Sequence, residues 1–387
     1  MCQKNQKRYE MKKIILTILA IAIMLTATAQ TMEQRKTGSQ TKVEVSETVE
    51  LMSILARTAG YEEYSNDLAG QYTKDTEAWF APYKEHAAVT LARDVRAKYG
   101  IAHERVMNMA IHLAIDNGKI VLIGDQSAPG LRSLGSVQEL NNGWENVDLD
   151  DFVKRLNEFY KDTRFHEFFE QHRTFYDDYT KMYEANVMPT FHPEWFSQFH
   201  YGTAPADRFH VIINFTCGGN SYGQWRQLSG QPRDLFAIIG YWIDPALGRP
   251  RYDASVLYHE ANHPFVNPLL DDAENIKLME KVGPKLLSLH QSSVEKTNYP
   301  DWRIVINESL VRASVILYMQ DAGYKMEQCL NVMGLEMVQK GFPWMFDLVG
   351  TLRYYTAHRD KYPTLADFYP DIARCLEKYV ENEEERM

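Results

Sequence analysis

The apolar positions of this chain first fall into a regular pattern at Glu47. From there Val49, Leu51, Met52, Leu55 and Ala56 recur at i, i+3, i+4 spacing, which predicts a helix. Helical patterning continues through 74–98, 103–115 and 150–186, the last opening on the acidic pair Asp150-Asp151. Ile120 to Ile123 is a short apolar run that reads as a strand or a buried turn. The pattern changes after Pro189. Phe209–Phe215 and Leu235–Trp242 are apolar almost throughout, as buried strands are, and Cys217–Gly223 reads as the loop that ends the first. Pro245 to Pro250 reads as a turn, and Asp253 as the N-cap of a helix starting at Ala254. Helical pattern returns over 272–292. Asp301 caps another helix that runs to about Gln320 and stops before Gly323, and two more helices are expected near 326–339 and 364–381. The sum is an α+β protein, rich in helix, with a small sheet just ahead of the helix at Ala254.

The two ends differ from this body. Met11-Lys12-Lys13 precedes an apolar run from Ile14 to Leu25, and Ala27-Thr28-Ala29 follows, the order of a secretory signal. The run is short for a membrane span, and no later run is long enough, so no membrane insertion is expected once the signal is removed. Gln30 to about Val45 is polar and reads as a flexible leader, and Glu381–Met387 as a charged, frayed tail.

Charge and cysteines narrow the function classes. The formal net charge is -10; residues 1–29 carry five basic groups and one acid, so their loss takes it to about -14. No basic cluster follows the N-terminus, which argues against nucleic acid as a partner. The mature chain would keep Cys217, Cys329 and Cys375, an odd count without a CxxC pair. A disulfide framework is thereby excluded, while a single bridge such as Cys329–Cys375 stays open. Cys217-Gly-Gly lacks a P-loop lysine, so it is no phosphate cradle.

The chemistry concentrates in Tyr258-His259-Glu260-Ala261-Asn262-His263. Histidines at i and i+4 on a helix stand about 40° apart around the axis and one turn apart along it, so both rings can meet one ion. Glu260 is rotated roughly 100° from His259 and stands beside that ion, where a base is needed to take a proton from water. Catalytic zinc also needs a third protein ligand. The best candidate is Glu308 in Ile306-Asn307-Glu308-Ser309-Leu310-Val311-Arg312, with apolar neighbours and with Arg312 one turn on to hold its carboxylate. The competing reading of Glu308 is a surface Glu–Arg pair. Tyr354, Tyr355 and His358 are candidates for steadying an oxyanion, and Asn267 for supporting His263 or capping the turn before Pro268. Pro264 is expected to bend or stop the helix directly after His263. The other histidines, among them His86, His112, His172, His200 and His210, read as capping or core residues.

HEANH followed by NESLVRA resembles the gluzincins, zinc peptidases in which an HExxH helix supplies two histidines and a later helix a glutamate. That resemblance implies a zincin-like fold, one zinc ion held by His259, His263 and Glu308, Glu260 as general base, and a peptide or protein substrate. The 45 residues between His263 and Glu308 are about twice the usual gap. Trp79–His86 and His259–Pro268 further resemble a family of exported bacterial proteins catalogued as a domain of unknown function, which spans nearly the whole mature chain. The expected organisation is a signal peptide at 1–29, a leader at 30–45, a helical region at 46–190, a zincin-like catalytic region at 191–380 and a tail at 381–387. The alternative from another class is a non-catalytic exported binding domain that keeps the zincin shell.

Cleavage after Ala29 would leave Gln30 as the first residue of protein in the periplasm or the medium. N-terminal sequencing of the protein recovered from the cell envelope checks this; an intact Met11–Leu25 segment on the mature chain would refute it.

Overall fold

Ser46 ends an extended stretch, and its hydroxyl accepts the amide N–H of Val49, so the helix Glu47–Thr58 begins where the apolar spacing begins. From Thr48 to Ala56 every residue of that helix is buried, which makes it a central element. In the computed structural model the described residues are 41–123, 143–203, 207–228, 230–244, 246–293 and 299–386. The signal segment expected at 1–29 and the leader up to residue 40 lie outside them.

The chain divides into two compact units, one of Thr41–Asp272 with Pro363–Ala366, the other including Ala273–Tyr362 and Asp367–Met387. The division thus falls after Asp272, not near 190. The physical reason is that the early helices pack on the sheet formed by later strands: Glu104–Ile111 lies on Tyr222–Gln227, and Glu47–Thr58 on Arg208–Asn214. Within the described residues the fold is α+β and rich in helix.

In the first unit Val43–Glu44 forms a short strand (β1), although it falls within the stretch read as leader. The helical reading of 103–115 is corrected: the helix is Glu104–Ile111, and Leu113–Asp116 (β2) pairs antiparallel with Lys119–Leu122 (β3). The cause is Asn117-Gly118, both at positive φ, which makes a tight hairpin turn. Other long helical stretches are interrupted. The 74–98 stretch is two helices, Gln71–Phe80 and Ala87–Tyr99, with Pro82 in the turn between them. The 150–186 stretch is three, Leu149–Asp162, Phe165–Gln171 and Arg173–Asn186.

Both strands expected after Pro189 form, as Arg208–Asn214 (β4) and Arg233–Gly240 (β6). Between them Tyr222–Gln227 (β5), whose start was read as loop, is also a strand. The sheet runs β1-β4-β6-β5. β4 lies parallel to β1 and β6, with Val211 opposite Ala237, and β5 closes the edge antiparallel to β6. Ile243–Asp244 (β7) and Arg249–Pro250 (β8) pair across the expected turn, whose Pro245 lies outside the described residues.

The second unit is helical among its described residues. Trp302–Asp321 packs against Gly283–Ser293, Met326–Val338 and Met345–Ala357. Asp301 caps the first of these, its carboxylate accepting the Arg303 N–H at 2.8 Å. Met345–Ala357 was not predicted. Leu365–Glu384 runs through most of the stretch read as a frayed tail. Cys329 and Cys375 are both free thiols, so the bridge left open by the sequence is not formed. Among the described residues no helix is long and apolar enough to cross a membrane.

Glu50 is fully buried on the central helix. Its carboxyl accepts the Phe215 N–H at 2.6 Å, the Thr216 hydroxyl at 3.1 Å and the Tyr72 hydroxyl at 3.0 Å, and Tyr72 meets Tyr176 at 2.7 Å. Burial pushes this carboxyl from the ordinary 4.5 up to about 7, against the pull of those hydrogen bonds. The folded chain therefore keeps a proton that the unfolded chain has already released. The stability contributed by that proton is complete below 4.5 and is lost as pH rises through about 7. Glu50→Gln mimics the neutral acid and removes the dependence. Urea unfolding of both proteins from acid to mildly alkaline pH should show the wild type losing roughly 3 kcal/mol relative to the variant. Parallel profiles would contradict this account.

Candidate metal centre

Asp253 follows β8 and caps the next helix, its Oδ1 accepting the Ser255 N–H at 3.1 Å. The helix spans Ala254–Val266 from the predicted start. Leu257, Ala261 and Phe265, one turn apart, are buried, and the helix packs on β5 and β6. Its middle is tied down by polar contacts. The Tyr258 hydroxyl donates to Thr190 Oγ1 at 2.5 Å. Asn262 is wholly buried; its Oδ1 accepts from His200 Nε2 at 2.9 Å, and its amide donates to the Tyr258 carbonyl at 2.8 Å. The His200 ring stacks on Phe265, 4.9 Å between centroids and 11° from parallel.

With the helix held in this way, His259 and His263 project together. Their Nε2 atoms are 3.1 Å apart and their rings 4.8 Å apart at 74°. The Glu260 carboxylate, only 5% exposed, lies 3.9 Å from His263 Nε2. His263 Nδ1 donates to Asn267 Oδ1 at 3.1 Å, which leaves the Nε2 lone pair directed toward His259. Of the two roles proposed for Asn267, support of His263 is therefore the one seen.

A metal fits this donor set. Two imidazole nitrogens bound to one tetrahedral zinc at about 2.0–2.1 Å stand about 3.3–3.4 Å apart. The observed 3.1 Å is close to that, and one ligand atom each from His259, Glu260 and His263 lies within 4.8 Å of the others.

Of the bend or stop expected at Pro264, the stop is not seen: the helix continues to Val266, and the Asn267 N–H bonds to the His263 carbonyl. Only one bond is lost, because proline cannot donate to the carbonyl four residues back, that of Glu260. That carbonyl is the atom that faces Gly223 on β5.

Glu308 stands on Trp302–Asp321, in the second unit. Arg312 donates to its Oε2 twice, from Nε at 3.0 Å and Nη2 at 2.7 Å, and reaches Glu336 Oε2 from Nη1 at 2.7 Å. Glu308 is only 13% exposed, so this is no surface ion pair. On Met345–Ala357, Tyr354 stacks on His358 at 3.9 Å and is half exposed, while Tyr355 is buried against Phe368. Of the scattered histidines, His86 caps Ala87–Tyr99 and His112 and His200 are buried, as expected, whereas His210 is half-buried against Asp234 and His166 is exposed against Glu47.

The family model described as Domain of unknown function (DUF4932) matches residues 41–375. The chain belongs to the DUF4932 family. No curated protein and no solved structure matches it. The match takes in the sheet, the HEANH helix and Glu308 alike.

Two supports of this DUF4932 site were not legible beforehand. The His200–Asn262 bond joins residues 62 positions apart and has no local signal. Gly223 sits where a Cβ would fall on the Glu260 carbonyl oxygen and 2.7 Å from His263 Cβ. Only glycine allows strand and helix this close. Gly223→Ala should therefore push the helix off β5, destabilise the protein by about 1–3 kcal/mol and displace His263. Chemical denaturation measures this; a variant as stable as the wild type would show that the helix has room to spare.

Proposed function

We propose that this chain is a zinc-dependent hydrolase, and specifically a peptidase acting outside the cytoplasm. The observation that carries the reading is the pair of Nε2 atoms 3.1 Å apart on one helix with the Glu260 carboxylate beside them. The likeness of HEANH and NESLVRA to the gluzincins adds the substrate class, and the N-terminal apolar run adds the location.

In this reading His259 and His263 hold the ion, and the likeness of NESLVRA to the gluzincins offers Glu308 as the third ligand. When bound, zinc supplies a Lewis acid that polarises a carbonyl and lowers the pKa of water. Glu260 takes the proton from the attacking water and returns it to the leaving amine. Its near-complete burial keeps competing bulk water away from that carboxylate. Asn267 fixes the tautomer of His263, and the Asn262–His200 bond holds the turn of helix between the two histidines.

Metal analysis should find about one zinc per chain. His259→Ala, His263→Ala and Glu308→Ala should each weaken zinc binding, and unchanged affinity in Glu308→Ala would mean a different third ligand. Glu260→Gln should retain zinc yet lower hydrolysis about 10²–10⁴-fold. The wild type is screened first against a broad peptide library. Zinc without any cleavage would instead identify a binding module that keeps the metal shell.

A further inference from the structure

The stretch Trp79–His86, conspicuous in the sequence, supplies nothing to the group of His259, Glu260 and His263. Within the first unit its Phe80, Ala81 and Lys84 line an open cavity of about 360 Å³, a volume suited to a small solute. Arg57, in the last turn of the central helix, and Arg93, on Ala87–Tyr99, line it too. Glu77 is the one acid in the lining. Three cations against one acid leave a positive cavity in a chain whose formal net charge is -10.

These cations keep donors in reserve. The Arg57 side chain is only 8% exposed. Its Nε donates to Glu77 Oε1 at 2.6 Å, and its Nη1 to the carbonyls of Tyr64 and Asn66 at 2.8 and 2.9 Å. Its Nη2 donates to none of the described residues. Enclosing a guanidinium while leaving N–H groups unused is costly unless a ligand or water takes them. Arg93 gives Nε and Nη2 to the carbonyls of Ala59 and Lys84. Its Nη1 has only Glu85, 3.8 Å away and 89% exposed. No described acid pairs with the Lys84 ammonium. The hydroxyls lining the cavity behave in the opposite way. Thr58, Ser65 and Thr76 each donate to a carbonyl four residues back, so toward a ligand they only accept.

We propose that this cavity binds a small phosphate monoester whose organic part carries hydroxyl groups. Arg57, Arg93 and Lys84 hold the phosphate, and Thr58, Ser65 and Thr76 accept from the hydroxyls. A phosphate monoester carries about -1.5 to -2 charges at neutral pH, which matches the excess of two cations better than a single carboxylate does. Capping of the central helix by Arg57 and Arg93 does not account for the cavity, because it leaves Arg57 Nη2 and Lys84 unused. The site is independent of the metal reading.

Isothermal titration calorimetry on the full chain at constant ionic strength tests this, with glycerol 1-phosphate, inorganic phosphate and acetate as probes. Glycerol 1-phosphate should bind saturably at one site and more tightly than inorganic phosphate, and acetate should not bind. Lys84 is exposed, so Lys84→Glu should fold, as circular dichroism checks, and should weaken glycerol 1-phosphate about tenfold or more. Lys98→Glu, an equal charge change on the helix of Arg93 but away from the cavity, should bind as the wild type does. So should His263→Ala. The absence of saturable binding overturns the proposal, as does acetate binding as well as phosphate, or inorganic phosphate binding as well as its ester. Wild-type affinity in Lys84→Glu, or an equal loss in Lys98→Glu, would also overturn it. Loss of binding in His263→Ala would move the phosphate to the metal centre and end the proposal.

Discussion

The approach of the HEANH helix to the edge strand at Gly223 is the contact on which the candidate metal centre depends. Helix and strand meet there backbone to backbone, with the Glu260 carbonyl against the glycine and the His263 Cβ beside it. A helix that close to a sheet has little freedom to slide or rotate, because neighbouring side chains are already packed. Leu257, Ala261 and Phe265 fill the interface on one side of the helix. The histidines are then directed by geometry, and Asn267 supports the ring of His263.

Pro264 belongs to the same arrangement. A proline inside a helix usually costs stability through a missing bond and a clash with the turn before it. Here the carbonyl that loses its donor is the one lodged against the glycine, and Pro264 itself is buried with Phe265 and Val266. The helix pays little in exposed surface and keeps its direction through the second histidine.

Each unit also encloses charge or potential charge. Glu50 sits in a net of hydroxyls and one backbone N–H, and Arg312 between two acids. Breaking such a group's hydrogen bonds is costly, whereas an apolar substitute is often tolerated, so neither network is explained by stability alone. Around Glu50 the bonds join the central helix to the end of β4 and to Tyr72, which orders the first unit from within.

Much of this was written in local chemistry. Caps at Asp253 and Asp301, apolar runs over β4 and β6, and the i, i+4 histidines are decided by residues a few positions apart, and these stand in the structure where the pattern put them. The exceptions follow from chemistry that spacing does not weigh. Asn117-Gly118 turned a helical reading into a hairpin because both residues accept positive φ. β5 was hidden because its Tyr-Gly-Gln-Trp-Arg-Gln order is neither uniformly apolar nor cleanly alternating; it is an edge strand recognised by its pairing with β6. Sequence by itself therefore determined the α+β class, the HEANH helix and the residue types that it offers. Tertiary structure alone decided which partners support them, because His200 and Asn262, or Gly223 and Glu260, are distant along the chain and meet only when packing brings their backbones together.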